Sequence, residues 1–194
     1  KVLKRLILLN KNYPLRGKHC DPKSFQRQFE LVDNKKEEQL YYTVRDSFID
    51  QGLVFFGGYA SFLYSEYMPA KQKKLFQKTP DFDVLAEEPE KAAAMLKERL
   101  EDFDYEGIQI VKHNGIGELI APHYEVKVKI NTIEETVAFI YKPLACHSYN
   151  VIKKGNKTIR VATIDTMLSF YLAFIYADRI YYDINRILCM SQFL

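Results

Sequence analysis

The chain has no tryptophan, only three cysteines, and no apolar run long enough to cross a bilayer in its 194 residues. A membrane-spanning helix needs roughly 18 or more consecutive apolar residues, so the sequence predicts no membrane partner. The cysteines (Cys20, Cys146 and Cys189) are odd in number and widely separated. That pattern favours reduced thiols over a disulfide framework, and it predicts an intracellular, reducing setting. Because the chain also lacks a starting methionine, we expect it to be a fragment of a longer protein.

Neither sign of charge dominates the composition. Lysine and arginine number 28, aspartate and glutamate number 25, and the net charge is +3. So small an excess does not establish nucleic-acid binding. Evidence for such binding must come from local clusters of positive charge. Only 8 glycines and 7 prolines accompany a hydrophobic content of 47%. This composition excludes a disordered chain and is sufficient for a sizeable core.

The order of periodic segments predicts an α/β or α+β fold with a mixed central β-sheet flanked by helices. A helical N-terminal segment (1–52) precedes a core (53–178), and a second helical segment (179–194) follows it. Within the core we expect strands at Leu53–Phe56, Asp81–Ala86, Ile108–Lys112, Tyr124–Ile130, Thr136–Tyr141 and Ile159–Val161. The last core helix is predicted to bury one face, formed by Ile164, Leu168, Leu172 and Ile175.

Two aspartates stand on alternate positions of one predicted strand, in the stretch DFDVLA. Successive strand residues point to opposite faces, so Asp81 and Asp83 project together, about 6.6 Å apart along the strand. Like charges this close repel each other, unless divalent cations lie between them. Carboxylates on a rigid strand suit a two-metal site holding Mg²⁺ or Mn²⁺. The alternative is an exposed edge strand with solvated charges.

A pair of glycines, Gly57 and Gly58, follows the first predicted strand and opens a helix. Glycine lets the backbone approach a ligand closely, and a helix N-terminus favours the negative charge of a triphosphate. An ordinary tight turn is the alternative for the glycines alone. The glycine pair followed by a D-x-D strand occurs by chance much less often than either motif alone.

The stretch FFGGYASFLYSEY followed by PDFDVLA resembles the nucleotidyltransferase superfamily, which includes DNA polymerase β and the poly(A) polymerases. The resemblance covers about Leu53 to Asp178. With ACHSYN and RVATIDTMLSFYLAFIYADR included, the chain is most similar to the poly(A) polymerases of large cytoplasmic DNA viruses, of the giant-virus and poxvirus type. The resemblance implies a nucleotidyltransferase fold that adds AMP from ATP to RNA 3′-ends with two Mg²⁺ or Mn²⁺ ions. It also implies the host cytoplasm or the virion as the location.

The resemblance assigns roles to matching positions. Gly57 and Gly58 would hold the nucleotide phosphates, while Asp81 and Asp83 would bind the two metal ions. The family adds a third acidic residue on a later strand, which helps to activate the primer hydroxyl.

Two residues are candidates for this third acid. Glu125 lies between apolar neighbours in YEVKVKI, as the family pattern requires, and we favour it. Glu135 lies at the entrance of TVAFIY, where the alternation places Phe139 at the position expected for an aspartate. If neither acid reaches the metal ions, the domain would bind nucleotide without catalysis.

Two further groups of residues are predicted to contact substrates. Ser148, Tyr149 and Asn150 follow the last strand of the predicted sheet, where the family contacts the incoming nucleotide, and Tyr149 could stack on a base. A loop anchored by its own hydrogen bonds is an equal alternative. Lys71, Lys73 and Lys74 could contact RNA phosphates, or they could belong to a solvated loop.

The sequence is also compatible with other functions. The chain could be a CCA-adding or protein-modifying nucleotidyltransferase, or a degenerate fold that serves as an RNA-binding or scaffolding module. The expected partners are an RNA 3′-end and ATP, with a second copy or a processivity subunit as further candidates.

Overall fold

The computed structural model describes residues 34–73, 80–130, 133–144, 147–177, 179–180 and 182–194. Before residue 34 it describes only residues 4, 8, 11, 12, 17 and 20. Lys74 and Cys146 therefore lie outside the described residues. The boundaries predicted at residues 52 and 178 stay predictions.

Six α-helices and seven β-strands are found in the described part of the chain. The helices are α1 (Asn34–Asp50), α2 (Gly57–Tyr64), α3 (Ala70–Lys73), α4 (Pro89–Glu101), α5 (Ile164–Ala177) and α6 (Ile184–Phe193). The strands are β1 (Val54–Phe56), β2 (Phe82–Leu85), β3 (Gln109–His113), β4 (His123–Ile130), β5 (Ile133–Tyr141), β6 (Tyr149–Lys154) and β7 (Lys157–Ala162). None of the helices among the described residues is long and apolar enough to cross a membrane.

All seven strands form one sheet in the order β3-β4-β5-β2-β1-β7-β6. The pairing is mixed, because β1 runs antiparallel to β2 and parallel to β7, and β2 runs parallel to β5. Helices cover both faces of this sheet. The predicted α+β class with a mixed central sheet is therefore confirmed.

One face of the sheet packs against α1 and α2 through aromatic rings. Phe82 of β2 lies 4.8 Å from Tyr41 of α1 and 5.3 Å from Tyr59 of α2, measured between ring centroids. Phe55 of β1 joins the same cluster, 6.2 Å from Phe48. Since neighbouring strand residues alternate, Asp83 must lie on the other face. That face packs against α5, where Phe56 lies 4.9 Å from the ring of Phe170.

Helix α5 buries a different face from the one predicted. Its buried residues are Thr166, Met167, Tyr171 and Phe174, whereas Ile164 and Leu172 of the predicted face are exposed. The helix is apolar on nearly every side, so the spacing of its apolar residues does not select one face. The choice comes from the aromatic rings of the sheet beneath it.

The segment after Tyr141 also differs from the prediction. Tyr149 and Asn150 were expected to follow the last strand of the sheet, but they begin the edge strand β6, which pairs antiparallel with β7. The two strands meet at Gly155 and Asn156, and Gly155 has a φ of +61°. Glycine at the first loop position is typical of a two-residue hairpin turn. The Gly-Asn pair between two alternating segments was the signal that could have predicted this hairpin.

Cys20 and Cys189 form a disulfide, so the prediction of reduced thiols is wrong for these two residues. They are 169 positions apart in the sequence, and no local pattern indicates that α6 lies beside the N-terminal segment. The predicted intracellular location is not affected by this finding and stays a prediction.

Candidate active site

The first glycine of the pair, Gly57, is the first residue of α2 and has a φ of +65°. This left-handed backbone conformation is one that residues with a Cβ rarely adopt. A Cβ at this position would also overlap Asp83 Oδ2 and lie 3.0 Å from Asp83 Cβ. The glycine therefore allows the start of α2 to lie directly against the aspartate of β2.

The second glycine makes the same kind of approach to the other aspartate. A Cβ at Gly58 would lie 3.3 Å from Asp81 Oδ1 and 3.0 Å from Pro80 Cβ. The structure thus brings together the two sequence motifs, Gly-Gly and D-x-D, at one end of β1 and β2.

Both aspartates line one small cavity of about 50 Å³. Asp83 lies within β2 between Phe82 and Val84, whose side chains are fully buried on the opposite face. Asp81 immediately precedes the strand and is 9% exposed. The predicted convergence of the two carboxylates on one face is confirmed, although β2 begins one residue later than expected.

The remaining wall of this cavity comes from residues that sequence reasoning missed. Its aromatic lining is contributed by β5, α5 and the segment before α6: Phe139, Tyr141, Tyr171, Phe174 and Tyr182. Burial raises the pKa of Tyr171, and the negative charge of Asp83 raises it further, so this tyrosine is a neutral hydroxyl beside the aspartates. Arg186 of α6 adds a positive charge to the lining. Its position in the last helix, far along the chain from the aspartates, gave no local signal.

The favoured third acid, Glu125, lies on the same face as Asp83 but two strands away. Asp83 pairs with Phe139 on β5, and Phe139 pairs with Glu125 on β4. Two strand spacings amount to about 10 Å. Phe139 occupies the position between the two acids, and Glu125 is absent from the described lining of the aspartate cavity.

Glu125 is held by other partners in the structure. Its carboxylate accepts a hydrogen bond of 2.5 Å from Thr136 Oγ1, and His113 Nε2 lies 2.8 Å away. Lys127 Nζ lies 3.7 Å from the same carboxylate. Burial opposes ionisation of this acid, but the hydrogen bonds and the lysine outweigh burial and lower the pKa of Glu125. Glu125 is therefore a structural anion in this arrangement.

The alternative acid, Glu135, lies on the opposite face of the sheet. Glu135 pairs with Val128 on β4, whereas the preceding residue of β4, Lys127, pairs with Thr136. Since strand residues alternate, Lys127 shares the face of Glu125, and Val128 and Glu135 lie on the other face. Among the described residues, no group of three or more His, Cys, Asp or Glu side chains is placed to hold a metal ion. The part of the chain that the structure describes therefore supplies two carboxylates to the candidate site.

The three residues predicted to contact nucleotide lie beside α5 and α2. The backbone N–H of Ser148 donates to Thr166 Oγ1 over 3.1 Å, and Asn150 Nδ2 donates to the Tyr64 hydroxyl over 3.0 Å. These bonds match the alternative of a segment anchored by its own contacts. None of Ser148, Tyr149 and Asn150 belongs to the described lining of the aspartate cavity.

Tyr149 instead lines a larger cavity of about 510 Å³. This cavity is built on the residues that precede β1 and follow β2, at the opposite end of these strands from Gly57 and Asp83. Arg160 lies over the ring of Tyr149, with 5.4 Å between its Cζ atom and the ring centroid. The structure therefore separates Tyr149 from the two aspartates.

Of the three lysines predicted to contact RNA, Lys71 and Lys73 belong to the short helix α3. Lys73 is exposed. Helix α3 follows α2 and the short 3₁₀ helix Ser65–Tyr67, so Lys73 is close in sequence to the helix that begins at Gly57. Its predicted role in RNA binding stays a prediction.

Comparison with known proteins supports the fold. No family model matches the chain, and no curated protein matches it in sequence. The crystal structure of the Megavirus polyadenylate synthase matches the whole chain with a TM-score of 0.57 and 16% sequence identity. The match covers 36% of that viral chain, so the present chain spans about a third of its length. At this identity the likeness shows the fold, and the chain has a nucleotidyltransferase-like fold, as predicted.

Proposed function

We propose that the chain is the catalytic core of a template-independent poly(A) polymerase, which adds AMP from ATP to RNA 3′-ends and releases pyrophosphate. One observation carries the proposal. The Gly-Gly start of α2 lies directly against both aspartates of the D-x-D motif, in a fold that resembles a viral polyadenylate synthase. A helix N-terminus beside paired carboxylates is the arrangement that a metal-bound triphosphate requires.

The residues present fit a hard divalent cation. Asp83 on β2 and Asp81 immediately before it offer carboxylate oxygens, which are the donor type that Mg²⁺ and Mn²⁺ prefer. When bound, the ions would supply positive charge to the pyrophosphate and lower the pKa of the primer hydroxyl. The two aspartates would orient the ions, and Gly57 and Gly58 would allow the triphosphate to approach the N–H groups of α2.

The wider set of contacts follows from the same proposal. Lys71, Lys73 and Lys74 would bind the RNA phosphates, and Tyr149 would stack on a base at a distance from the reacting atoms. A second copy of the chain or a processivity subunit would keep the RNA bound between additions. The protein would act inside the cell, in the host cytoplasm or the virion of a large DNA virus.

Primer extension tests this function. The protein is incubated with an RNA primer, Mg²⁺ or Mn²⁺, and each of the four NTPs in turn, beside the variants Asp81→Asn and Asp83→Asn. We expect the primer to be extended with ATP and with none of the other three NTPs. The extension rate should fall by more than about 100-fold in each variant, because removal of one charge-stabilising group costs at least this much. The matched control is Asp102→Asn at the exposed end of α4, which should extend the primer at the normal rate.

Three outcomes contradict parts of the proposal. Preference for another nucleotide would keep the site and change the function. Unchanged activity in both variants would remove the aspartates from the reaction. The absence of extension by a folded protein, both with and without dithiothreitol, would reject the catalytic function altogether.

A second candidate function is a nucleotidyltransferase-like RNA-binding module without catalysis. The observation that favours it is Glu125, which is engaged by Thr136 and His113 and is separated from Asp83 by Phe139. Metal-dependent binding of ATP without any extended product would support this candidate over the polymerase.

A further inference from the structure

The C-terminal segment (residues 182–194) covers the two aspartates. Tyr182, Arg186, Ile187 and Met190 form one wall of the cavity whose other wall contains Asp81 and Asp83. The enclosed volume of about 50 Å³ has room for an ion or a few water molecules. Pockets that bind small molecules measure roughly 300–1,000 Å³. In this arrangement the cavity is too small to hold a nucleotide.

The segment also brings its own positive charge to the aspartates. Arg186 lines the cavity, and its Nε atom is buried without a hydrogen-bond partner among the residues that the structure describes. An arginine beside two carboxylates reduces their mutual repulsion, as a divalent cation would. Arg186 therefore places a positive charge in the cavity that is lined by the two negatively charged aspartates.

The segment packs on the side of α5. Within the segment, the Asp183 side chain accepts a hydrogen bond of 3.0 Å from the backbone N–H of Arg186 and so caps α6. The Tyr182 ring stacks on Phe174, with 4.5 Å between centroids. Ile187 and Met190 are buried as well. These contacts with α5 are noncovalent, so they do not prevent the segment from moving away from α5.

On its other side the segment has a covalent contact. Cys189 of α6 is fully buried and bonded to Cys20. Gly17 completes the attachment, because a Cβ there would lie 2.6 Å from Cys20 Sγ and 3.1 Å from the carbonyl oxygen of Asn185. The disulfide thus ties the wall of the aspartate cavity to a part of the chain that is remote in sequence.

We propose that residues 182–194 are a lid over the aspartate cavity, locked by the Cys20–Cys189 disulfide and released by a dithiol reductant. One thiolate of the reductant attacks a sulfur of the disulfide and forms a mixed disulfide. The first cysteine leaves as a thiol. The second thiol of the reductant then displaces the other cysteine from the mixed disulfide. Cys20 and Cys189 become thiols, and the reductant leaves as a cyclic disulfide after supplying two electrons and two protons. The significance of the lid for activity rests on the proposed function.

Chemical labelling of the aspartates tests the lid without relying on any activity. The protein is treated with a water-soluble carbodiimide and an amine, before and after reduction by dithiothreitol, and mass spectrometry follows the labelling of Asp81 and Asp83. We expect labelling at least about tenfold faster after reduction. Hydrogen exchange of the α6 amides should accelerate by a similar factor. Equal labelling rates in both redox states would overturn the proposal.

Two variants separate the disulfide from other thiol effects. Cys20→Ser should label as fast without reductant as the reduced protein does. Cys146→Ser retains the disulfide, so it should label slowly until dithiothreitol is added. Rapid labelling of oxidised Cys146→Ser, or slow labelling of folded Cys20→Ser, would contradict the lock. Reduction of the unaltered protein provides the same comparison if Cys20→Ser does not fold.

Binding of Mn²⁺·ATP, measured by equilibrium dialysis, then distinguishes the lid from the proposed function. If the proposed function is right, reduction should tighten binding at least about tenfold, and Asp81→Asn should bind weakly in both states. Faster labelling with no Mn²⁺·ATP binding in either state would confirm the lid and overturn the proposed function.

Discussion

Replacement of Gly57 by alanine places a methyl group where Asp83 Oδ2 already lies. Two costs combine at this position. The left-handed φ of +65° costs a residue with a Cβ about 1–2 kcal/mol. Displacement of Asp83 by the methyl group is a case of overpacking, which typically costs about 1–3 kcal/mol. We therefore expect Gly57→Ala to lower the free energy of unfolding by about 2–5 kcal/mol.

Gly155 offers a matched control for the backbone part of this cost. Its φ is +61°, and a Cβ there would meet nothing within 4 Å. Gly155→Ala should therefore lose only the backbone cost, about 1–2 kcal/mol. Urea denaturation of both variants measures the difference, which should be about 1–3 kcal/mol. In thermal unfolding, each kcal/mol corresponds to about 2–4 °C in Tm for a domain of this size.

Equal losses in the two variants, within about 0.5 kcal/mol, would refute the reasoning. That result would mean that Asp83 moves aside freely and is not held against the start of α2. A larger loss in Gly155→Ala would refute it as well. Under the proposed function, Gly57→Ala should also weaken Mn²⁺ binding, because it displaces one of the two carboxylates, whereas Gly155→Ala should not.

Two more predictions concern burial. Phe174→Ala should lower the free energy of unfolding by about 3–5 kcal/mol, whereas Leu172→Ala on the exposed side of α5 should lower it by less than about 1 kcal/mol. Urea denaturation measures both losses. A larger loss in Leu172→Ala than in Phe174→Ala would mean that α5 buries the opposite face. Burial lowers the pKa of His123 to about 4, so this side chain stays neutral in the folded protein while the unfolded chain takes up a proton below about pH 6.5. The free energy of unfolding should therefore fall as the pH drops from 6.5 towards 4, by up to about 1.4 kcal/mol per pH unit. In His123→Gln this pH dependence should be weaker. Equal pH dependence of the free energy of unfolding in the variant and the unaltered protein would contradict the burial argument.

Local patterns predicted the part of the fold that carries the candidate site. The alternation in DFDV placed Phe82 and Val84 in the core and both aspartates on the other face, as the structure has them. Pro89 opens helix α4, and proline is favoured at the first position of a helix. These features depend on neighbours within a few positions, so the sequence pattern contains the information.

Features that depend on distant pairing could not be predicted in this way. The distance of Glu125 from Asp83 follows from the placement of β5 between β4 and β2. The disulfide and the position of Arg186 follow from the packing of α6 near Cys20 and β2. No spacing within a strand or helix indicates which elements become neighbours in space.

The sheet order also determines when the site can form during folding. The register joins Phe55 of β1 to Val161 of β7, and Asp83 of β2 to Phe139 of β5. Contacts between such distant parts of the chain form slowly, because the intervening loop must close before the contacts stabilise it. During synthesis, β1 and β2 can therefore pair only with each other until β5 and β7 have emerged. The aspartates reach their final positions late, and a chain that ended before β7 would leave β1 as an open edge available to other chains.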